Sequence, residues 1–432
     1  MINTIIIHGT VITVNDNNEV IKNGAVAFKD GVITYVGETP SDLSSYDEII
    51  DAKADYILPG FINTHGHTPM SLLRGFADDY PLQVWLEDKM WPLEAQYTPE
   101  HAKWGAYLSI IEMLQTGTTT FVDMYDNMDE VAKAVELSGI RARLCRGVIG
   151  FGSEELRQQK LAEASRFATD WHKAANGRIT TMMSPHAPYT CGPEYIEQIV
   201  NKATELDLPI HIHMSETKFE VEQNVKDYGE RPVKHLEKIG VFSRPTLVAH
   251  AVHVNDEEID ILKKYDVKIS HNVISNLKLA SGIAPVPKML EKGLTVSLGT
   301  DSSASNNNLD LFEELRQVAL LHKAVHYDPT LINANEALRM ATINGANAIW
   351  LNGQIGSLEV DKQADLIILD TKQPFYHPEH DPVSHVVYSA SGRDVKDVFV
   401  QGKQLVKNKE CLTVDKEKVL YEANRAFKTF KY

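Results

Sequence analysis

The chain begins with short apolar runs separated by turn residues, a pattern typical of β-strands. The turn signals are Gly9, the asparagine-rich segment 15–18 and Asp30-Gly31. The far end has the same character, with apolar runs at 364–370 and 397–400 and a turn at 401–403. Because either piece alone would form a marginal sheet, we predict that both ends pair into one β-sandwich. The N-terminal runs lie at 4–8, 11–13, 25–29 and 32–36.

Between these ends, apolar runs of strand length alternate with helical segments. The clearest helix signal is Thr98 as a cap, Pro99 in the first turn and Gly117 just past the end of 99–115. The other predicted helices span 126–138, 154–175, 256–264 and 310–323. The eight predicted strands span 61–64, 118–123, 143–148, 179–184, 209–214, 246–250, 267–271 and 295–299.

Eight strands alternating with helices predict an α/β protein with a (β/α)8 TIM-like barrel. The alternative is an open doubly wound sheet, but no G-x-G-x-x-G or P-loop pattern follows any strand. We therefore expect the barrel over residues 58–356 and the smaller β-sandwich from 1–57 and 357–432.

Composition narrows the function class. With 43 basic and 59 acidic residues, the formal charge is −16, which disfavours nucleic acid as a partner. Three scattered cysteines suit a reducing cytoplasm rather than a disulfide framework. The first residues lack the features of a signal peptide, and no apolar run reaches the ~18 residues of a membrane span. We expect a cytoplasmic protein with no membrane partner; the sequence leaves homo-oligomerisation open.

Candidate chemistry begins at His65-Gly-His67, directly after the first apolar strand. Two imidazoles two residues apart lie on one face and are a natural start for a metal site. The pair alone is weak, since 17 histidines in 432 residues give about one such pair by chance, and His211 and His213 form a second.

Position along the predicted strands strengthens the case. In barrel enzymes the active site is built from the carboxyl ends of the strands. Any one of these histidines alone is as well explained by packing, but their shared position favours one site. The polar residues at the carboxyl ends of strands one, four, five, six and eight are His65, His67, His186, His213, Glu216, His250 and Asp301.

Several of these features resemble the amidohydrolase superfamily and, more narrowly, its 5′-methylthioadenosine/S-adenosylhomocysteine deaminases. They are the segment 59–67 (PGFINTHGH), His213 with Glu216 three residues on, His250, and the strand end Gly-Thr-Asp301-Ser. The resemblance covers nearly the whole chain and implies hydrolytic removal of the adenine 6-amino group of both thioether nucleosides, with adenosine as a further candidate. The alternatives are a guanine or triazine deaminase or dechlorinase, and a catalytically inactive barrel that acts as a binding protein.

The resemblance also implies one divalent metal held by His65, His67, His213 and Asp301. Three nitrogens, one oxygen and an open position suit Zn²⁺, and Fe²⁺ or Mn²⁺ would also fit. Related barrels with two metals usually bridge them through a carbamylated lysine on strand four, and the segment 178–186 has no lysine.

The same resemblance implies the catalytic and substrate-binding roles. Asp301 takes a proton from the attacking water, Glu216 moves protons to purine N1 and to the leaving amine, and His250 orients the water. A solvated carboxylate at a helix start is the alternative for Glu216. The nucleoside is expected to contact Glu216 and Asp301, Glu94 at the ribose diol, and also Arg146 and His186. Arg143 competes with Arg146, whose alternative role is a structural pair with a carboxylate. Trp85 lies in an aromatic-rich loop predicted after strand one and is expected to cover the thioether, with simple packing as the alternative.

Overall fold

A ring of eight parallel strand positions forms the centre of the computed structural model, which describes residues 2–432. The ring consists of a five-stranded and a four-stranded sheet. They join where Thr64 N donates to Leu298 O at 2.9 Å and where Met183 bridges Ile210, so the barrel closes as predicted. The strands are Phe61–Asn63, Thr118–Tyr125, Arg141–Val148, Ile179–Thr181 with Ser184–Pro185, Ile210–Met214, Thr246–His250, Lys268–His271 and Val296–Leu298.

The helices of the middle region largely follow the predictions. Pro99–Gln115 has the predicted bounds, with the Thr98 side chain accepting from His101 N. Glu154–Trp171 ends before the predicted residue 175, because residues 173, 175 and 176 take positive φ values and turn the chain. The other α-helices of six or more residues are Met128–Ser138, Pro193–Glu205, Lys218–Tyr228, Pro232–Lys238, Asp256–Lys264, Val273–Lys278, Val286–Glu291, Leu311–His326, Ala334–Ala341, Ile343–Ala348 and Lys416–Phe427.

The segment that follows the first barrel strand is helical rather than the predicted loop. It runs through a 3₁₀ turn at Thr68–Leu73 and then Leu82–Val84, the π-helical Trp85–Met90 and Trp91–Glu94. The aromatic residues of this segment do not recur at α-helical spacing, because the π-turn changes which residues share a face. Further short helices are Val241–Ser243, Pro374–Tyr376, Pro382–Ser384, His385–Ser389 and Gly392–Asp394.

Both ends of the chain meet in one nine-stranded sheet, which confirms the predicted pairing. Ile6 and Val26 from the N-terminal strands share a buried core with Leu366 and Phe399 from the C-terminal strands. The strands, in sheet order, are Glu410–Cys411, Lys403–Lys407, Val395–Val400, Leu366–Leu369, Tyr56–Pro59, Asn3–Ile12, Val20–Lys29 and Val32–Glu38, with Glu48–Asp51 paired to Asn3–Ile12.

Gly9 is not the turn that the sequence predicted. It lies inside the strand Asn3–Ile12, at a shift in register against the next strand. A Cβ atom there would lie 2.4 Å from Ile57 Cδ1, so glycine is required by close packing of two strands.

A buried ion pair connects the terminal sheet to the barrel. Arg141 Nε on barrel strand three donates to Asp365 Oδ2 at 2.7 Å, and both side chains are almost fully buried. The domain bounds, 1–57 with 357–432 and 58–356, stay a prediction.

Candidate metal and active site

The polar residues predicted at the strand ends come together at one rim of the barrel. They surround a cavity of about 420 Å³, within the ~300–1,000 Å³ usual for small-molecule sites. His65 lies beneath it, fully buried, with its ring centroid 4.8 Å from those of both His67 and His213. The predicted residues that line the cavity are His67, Trp85, Glu94, Arg146, His186, His213, Glu216, His250 and Asp301.

Each of three histidines is held by a hydrogen bond at Nδ1, which turns Nε2 toward a common point. His67 Nδ1 donates to Met124 O at 2.5 Å, and His213 Nδ1 donates to His186 O at 2.8 Å. His65 Nδ1 lies 2.9 Å from His211 Nε2. This arrangement leaves the Nε2 lone pairs free for a ligand role.

Asp301 completes this group, and its two oxygens have different partners. Oδ1 lies 3.5 Å from His65 Nε2 and 3.3 Å from His67 Nε2. Oδ2 accepts hydrogen bonds from Ser275 Oγ at 2.6 Å and Ser305 Oγ at 2.9 Å. The serines therefore fix the carboxylate with Oδ1 facing the histidines.

The group fits a divalent cation. His65 Nε2 is buried and has no hydrogen-bond partner among residues 2–432, a costly arrangement unless something else satisfies the atom. His67 Nε2 and His213 Nε2 are 3.4 Å apart, close to the ~3.3–3.4 Å between two nitrogens bound tetrahedrally at about 2.0–2.1 Å. Two overlapping triads have metal-ligand spacing, His65 with His67 and His213, and His65 with His250 and Asp301.

Burial sets the charge of these histidines. It lowers the pKa of His65 and of His213 well below the usual range, so both rings are neutral and can act as ligands. Burial also lowers the pKa of His67, but the adjacent Asp301 raises it more, to about 9. A cation between His67 and Asp301 would compete with that proton, as metals do at histidine sites.

Glu216 is a buried carboxyl group that points into the same cavity. It follows the end of barrel strand five, and burial raises its pKa. Its Oε2 lies 3.7 Å from His250 Nε2. His250 Nδ1 donates to Asn276 Oδ1 at 2.8 Å, so its Nε2 faces the cavity and Glu216. The site thus places a carboxyl able to hold a proton beside a fixed imidazole.

The backbone that carries Glu216 is itself held by a buried carboxylate. Glu220 accepts from Ser215 N at 2.7 Å and from Glu216 N at 2.8 Å. Ser215 has φ 53°, a left-handed conformation that non-glycine residues rarely adopt without support. His250 and Asp301 also have positive φ, 76° and 62°, so three strand ends at this rim are turned sharply toward the cavity.

Glu94 lies on another wall of the cavity, more than 100 residues from Glu216 in sequence. It accepts a hydrogen bond from Tyr125 Oη at 2.7 Å, and burial raises its pKa. Trp85 is 5% exposed and its Nε1 donates to Ala77 O at 3.0 Å. Trp85 therefore both packs in the helical segment and presents an apolar surface to the cavity.

The two candidate arginines occupy different places. Arg146 lines the cavity, where its Nη2 lies 3.1 Å from Asp126 Oδ1 and 3.2 Å from Glu163 Oε2. Arg143 lies away from the cavity wall, donates to Ile349 O and has its guanidinium over the Trp350 ring at 5.4 Å. Of the two, only Arg146 is in reach of a ligand in the cavity.

His186 contributes through both its ring and its backbone. The ring lines the cavity and pairs with Thr190 Oγ1 at 2.9 Å, while the carbonyl orients His213. Burial lowers the pKa of His186 to about 3, so the ring is neutral and offers a hydrogen bond rather than a charge.

Sequence reasoning missed the residues that support the predicted ones. Tyr125 ends barrel strand two and was predictable from the strand-end rule, had the strand been extended two residues. The others come from two helices, a buried strand position and a turn, where a polar residue carries no signal of its own. They are His211, Glu220, Ser275, Asn276 and Ser305.

A barrel whose rim gathers three histidines, an aspartate and a separate glutamate around one cavity has the architecture of a metal-dependent hydrolase. Comparison with known proteins agrees. The family model described as "Amidohydrolase family" matches residues 56–405. The chain belongs to the amidohydrolase family.

Curated relatives match the chain over nearly its whole length. A protein of Syntrophomonas wolfei is 47% identical, covering 96% of both chains, and one of Halalkalibacterium halodurans is 49% identical, covering 98% of this chain and 97% of the relative. Both are named 5-methylthioadenosine/S-adenosylhomocysteine deaminase.

Solved structures share the same fold. An adenosine deaminase from Xanthomonas campestris with bound zinc has a TM-score of 0.94 and 34% identity, covering 99% of both chains. The atrazine chlorohydrolase TrzN from Arthrobacter aurescens TC1, complexed with zinc, has a TM-score of 0.90 and 26% identity, covering 98% of this chain and all of the other. No helix within residues 2–432 combines the length and apolar character needed to cross a membrane.

Proposed function

We propose that this protein is a metal-dependent deaminase of 5′-methylthioadenosine and S-adenosylhomocysteine. The reaction replaces the adenine 6-amino group by oxygen and releases the inosine derivative and ammonia. The observation that carries the proposal is the 47–49% identity, over nearly the full chain, to relatives that bear this name. The geometry of the rim supports it, because the acid–base group, the histidine and aspartate cluster and the carboxyl on the opposite wall all adjoin one cavity.

The proposed metal is one Zn²⁺ ion held by His65, His67, His213 and Asp301. The spacing of the Nε2 atoms and the orphaned Nε2 of His65 support this ligand set. When bound, such an ion lowers the pKa of a coordinated water toward neutrality. Nitrogen and carboxylate ligands in this ratio favour zinc over the oxygen-preferring Ca²⁺ and Mg²⁺.

The proton transfers fall to residues of this chain. As the C6–O bond forms, purine N1 gains a proton, and the amine gains another as the C6–N bond breaks. Glu216 is suited to both, because its raised pKa lets it hold a proton and both acceptors lie on one edge of the ring. His250 Nε2, fixed by Asn276, is proposed to hold the attacking water, and the carboxylate of Asp301 is proposed to accept its proton.

Glu94 is proposed to read the ribose. One carboxylate has two acceptor oxygens and can receive both hydroxyls of a vicinal diol. A thioether next to Trp85 and a purine near His186 would place the remaining parts of the nucleoside against groups that line the cavity. Arg146 lies in the cavity wall and is proposed to contact the charged end of S-adenosylhomocysteine, the larger of the two substrates.

A substrate panel tests the proposal. Both thioether nucleosides should turn over with the absorbance change of adenine to hypoxanthine and equimolar ammonia, while adenine, guanine and 5′-AMP should be poor substrates. The rival function, deamination or dechlorination of a free heterocycle, rests on the shared fold with the triazine enzymes. Turnover of guanine, adenine or a chlorotriazine as fast as the thioether nucleosides would establish it instead.

A further inference from the structure

The three histidines at the candidate metal centre are not held in the same way. His67 and His213 each donate Nδ1–H to a backbone carbonyl, of Met124 and of His186. His65 has no carbonyl at this position; its Nδ1 faces the side chain of His211, 2.9 Å from Nε2. The orientation of His65 therefore depends on the state of a second imidazole.

The state of that second imidazole follows from its own partner. His211 Nδ1 lies 3.0 Å from Leu247 O, and a carbonyl oxygen can only accept. The hydrogen of a neutral His211 is therefore on Nδ1, and its Nε2 carries a lone pair. That lone pair requires His65 to donate from Nδ1, which in turn leaves the lone pair of His65 on Nε2, the buried atom without a partner among residues 2–432.

We infer that His211 is a positioning residue for the metal centre: through the relay from Leu247 O to His211 and His65 it fixes the tautomer and the direction of the His65 ring. This inference rests on the metal site of the proposed function, but not on its substrate. His211 is fully buried below the cavity wall and is not among the residues that line the cavity, so it acts through His65 rather than on a ligand. A partner of this kind typically contributes 10–100-fold to metal affinity.

The test compares two substitutions at position 211 with a matched control. His211→Leu removes the acceptor, whereas His211→Gln can present an amide oxygen where Nε2 lies. The control is His322→Leu, which removes another fully buried imidazole of the barrel region, on the helix Leu311–His326 and not among the residues that line the cavity. Zn²⁺ dissociation constants are measured by competition with a chromophoric chelator, after circular dichroism has shown that each variant is folded.

The expected result is a dissociation constant raised about 10–100-fold in His211→Leu, a smaller rise in His211→Gln and none in His322→Leu. Unchanged Zn²⁺ affinity in folded His211→Leu would overturn the inference while leaving the proposed function intact. Failure of the unsubstituted protein to bind Zn²⁺ would overturn both.

A second readout covers the case in which His211→Leu does not fold. In the Co²⁺-substituted protein, the ring N–H protons of the three histidines should appear as separate, exchangeable, shifted NMR signals. His211→Gln should move the signal of His65 and leave those of His67 and His213 in place, since their carbonyl partners are untouched. Three unmoved signals would refute the relay.

Discussion

Tyr125 offers the sharpest test of the proposal that Glu94 recognises the ribose. Its Oη donates to Glu94 Oε1 at 2.7 Å, and both side chains are half-buried in the cavity wall. Tyr125→Phe removes this hydrogen bond together with the contact between the hydroxyls of Tyr125 and Tyr97. Burial already raises the pKa of Glu94 while the bond from Tyr125 opposes that rise, so the substitution should raise the pKa further and weaken the ionised form that accepts from a diol.

The size of the effect follows from the type of bond lost. A hydrogen bond to a charged group contributes about 1.5–3 kcal/mol, and each ~1.4 kcal/mol is tenfold in rate. Tyr125→Phe should therefore lower kcat/KM for 5′-methylthioadenosine about 10–100-fold. For the 2′,3′-dideoxy analogue, which gives Glu94 nothing to accept, the loss should be at most a few-fold.

The assay measures kcat/KM for the diol and the dideoxy substrate through the rate of ammonia release and compares the two values as a ratio. Tyr97→Phe is the control for loss of the neighbouring hydroxyl, because Tyr97 Oη donates to Pro69 O at 3.0 Å and contacts the hydroxyl of Tyr125 rather than Glu94. In a Glu94→Ala background, Tyr125→Phe should not change the ratio further, since the two act as one unit. Equal losses on both substrates, or a ratio that falls further in the double variant, would refute the reasoning.

Three further outcomes are expected. Glu216→Gln should keep about one equivalent of divalent metal, by elemental analysis, and lose about 10²–10⁴-fold in kcat; near-normal turnover would reassign the proton transfers. Glu220→Gln replaces one of the oxygens that accept from Ser215 N and Glu216 N by an amide, so kcat should fall about 10–100-fold with little change in KM, and an unchanged kcat would contradict the positioning role. Burial raises the pKa of Glu314 to about 8, against an unfolded value near 4.3, so its protonated form stabilises the fold fully below about pH 4.3 and this contribution is lost as the pH rises to about 8. Denaturant titrations should therefore show a free energy of unfolding that falls less between pH 5 and 8 in Glu314→Gln than in the unsubstituted protein; parallel curves would exclude this linkage.

The barrel was readable from the sequence because its strands are buried on both faces. Thr246–His250, for example, is buried at every position and appears as a short, nearly continuous apolar run. Helix ends were less readable: 154–175 looks helical throughout, yet left-handed residues from 173 on turn the chain. The segment 82–94 was misjudged because a π-turn breaks the period by which helices are recognised.

At the site, the rule that barrel chemistry lies at strand ends predicted the histidines, Glu216 and Asp301, whereas Glu94 and Arg146 came from the family resemblance. The rule could not predict the residues that hold those side chains in place. Asn276 and Ser275 lie on the short helix Val273–Lys278, and Glu220 lies on Lys218–Tyr228, at positions that resemble ordinary helix polar residues. Their roles depend on which atoms they meet across the fold, and that is a property of packing rather than of local pattern.

The two His-x-His pairs show how the same spacing acquires different meanings in one fold. His65 and His67 follow the end of strand one, where the chain is free to turn both rings toward the cavity. His211 and His213 lie within Ile210–Met214, where residues two apart point the same way but at successive depths of the barrel. Only the upper ring reaches the cavity, and the lower one meets His65 from below. The second pair, which chance alone would explain in the sequence, is thus linked by geometry to the first. Because it lies within a strand rather than after one, we propose one ligand, His213, and one supporting residue, His211, in place of two ligands.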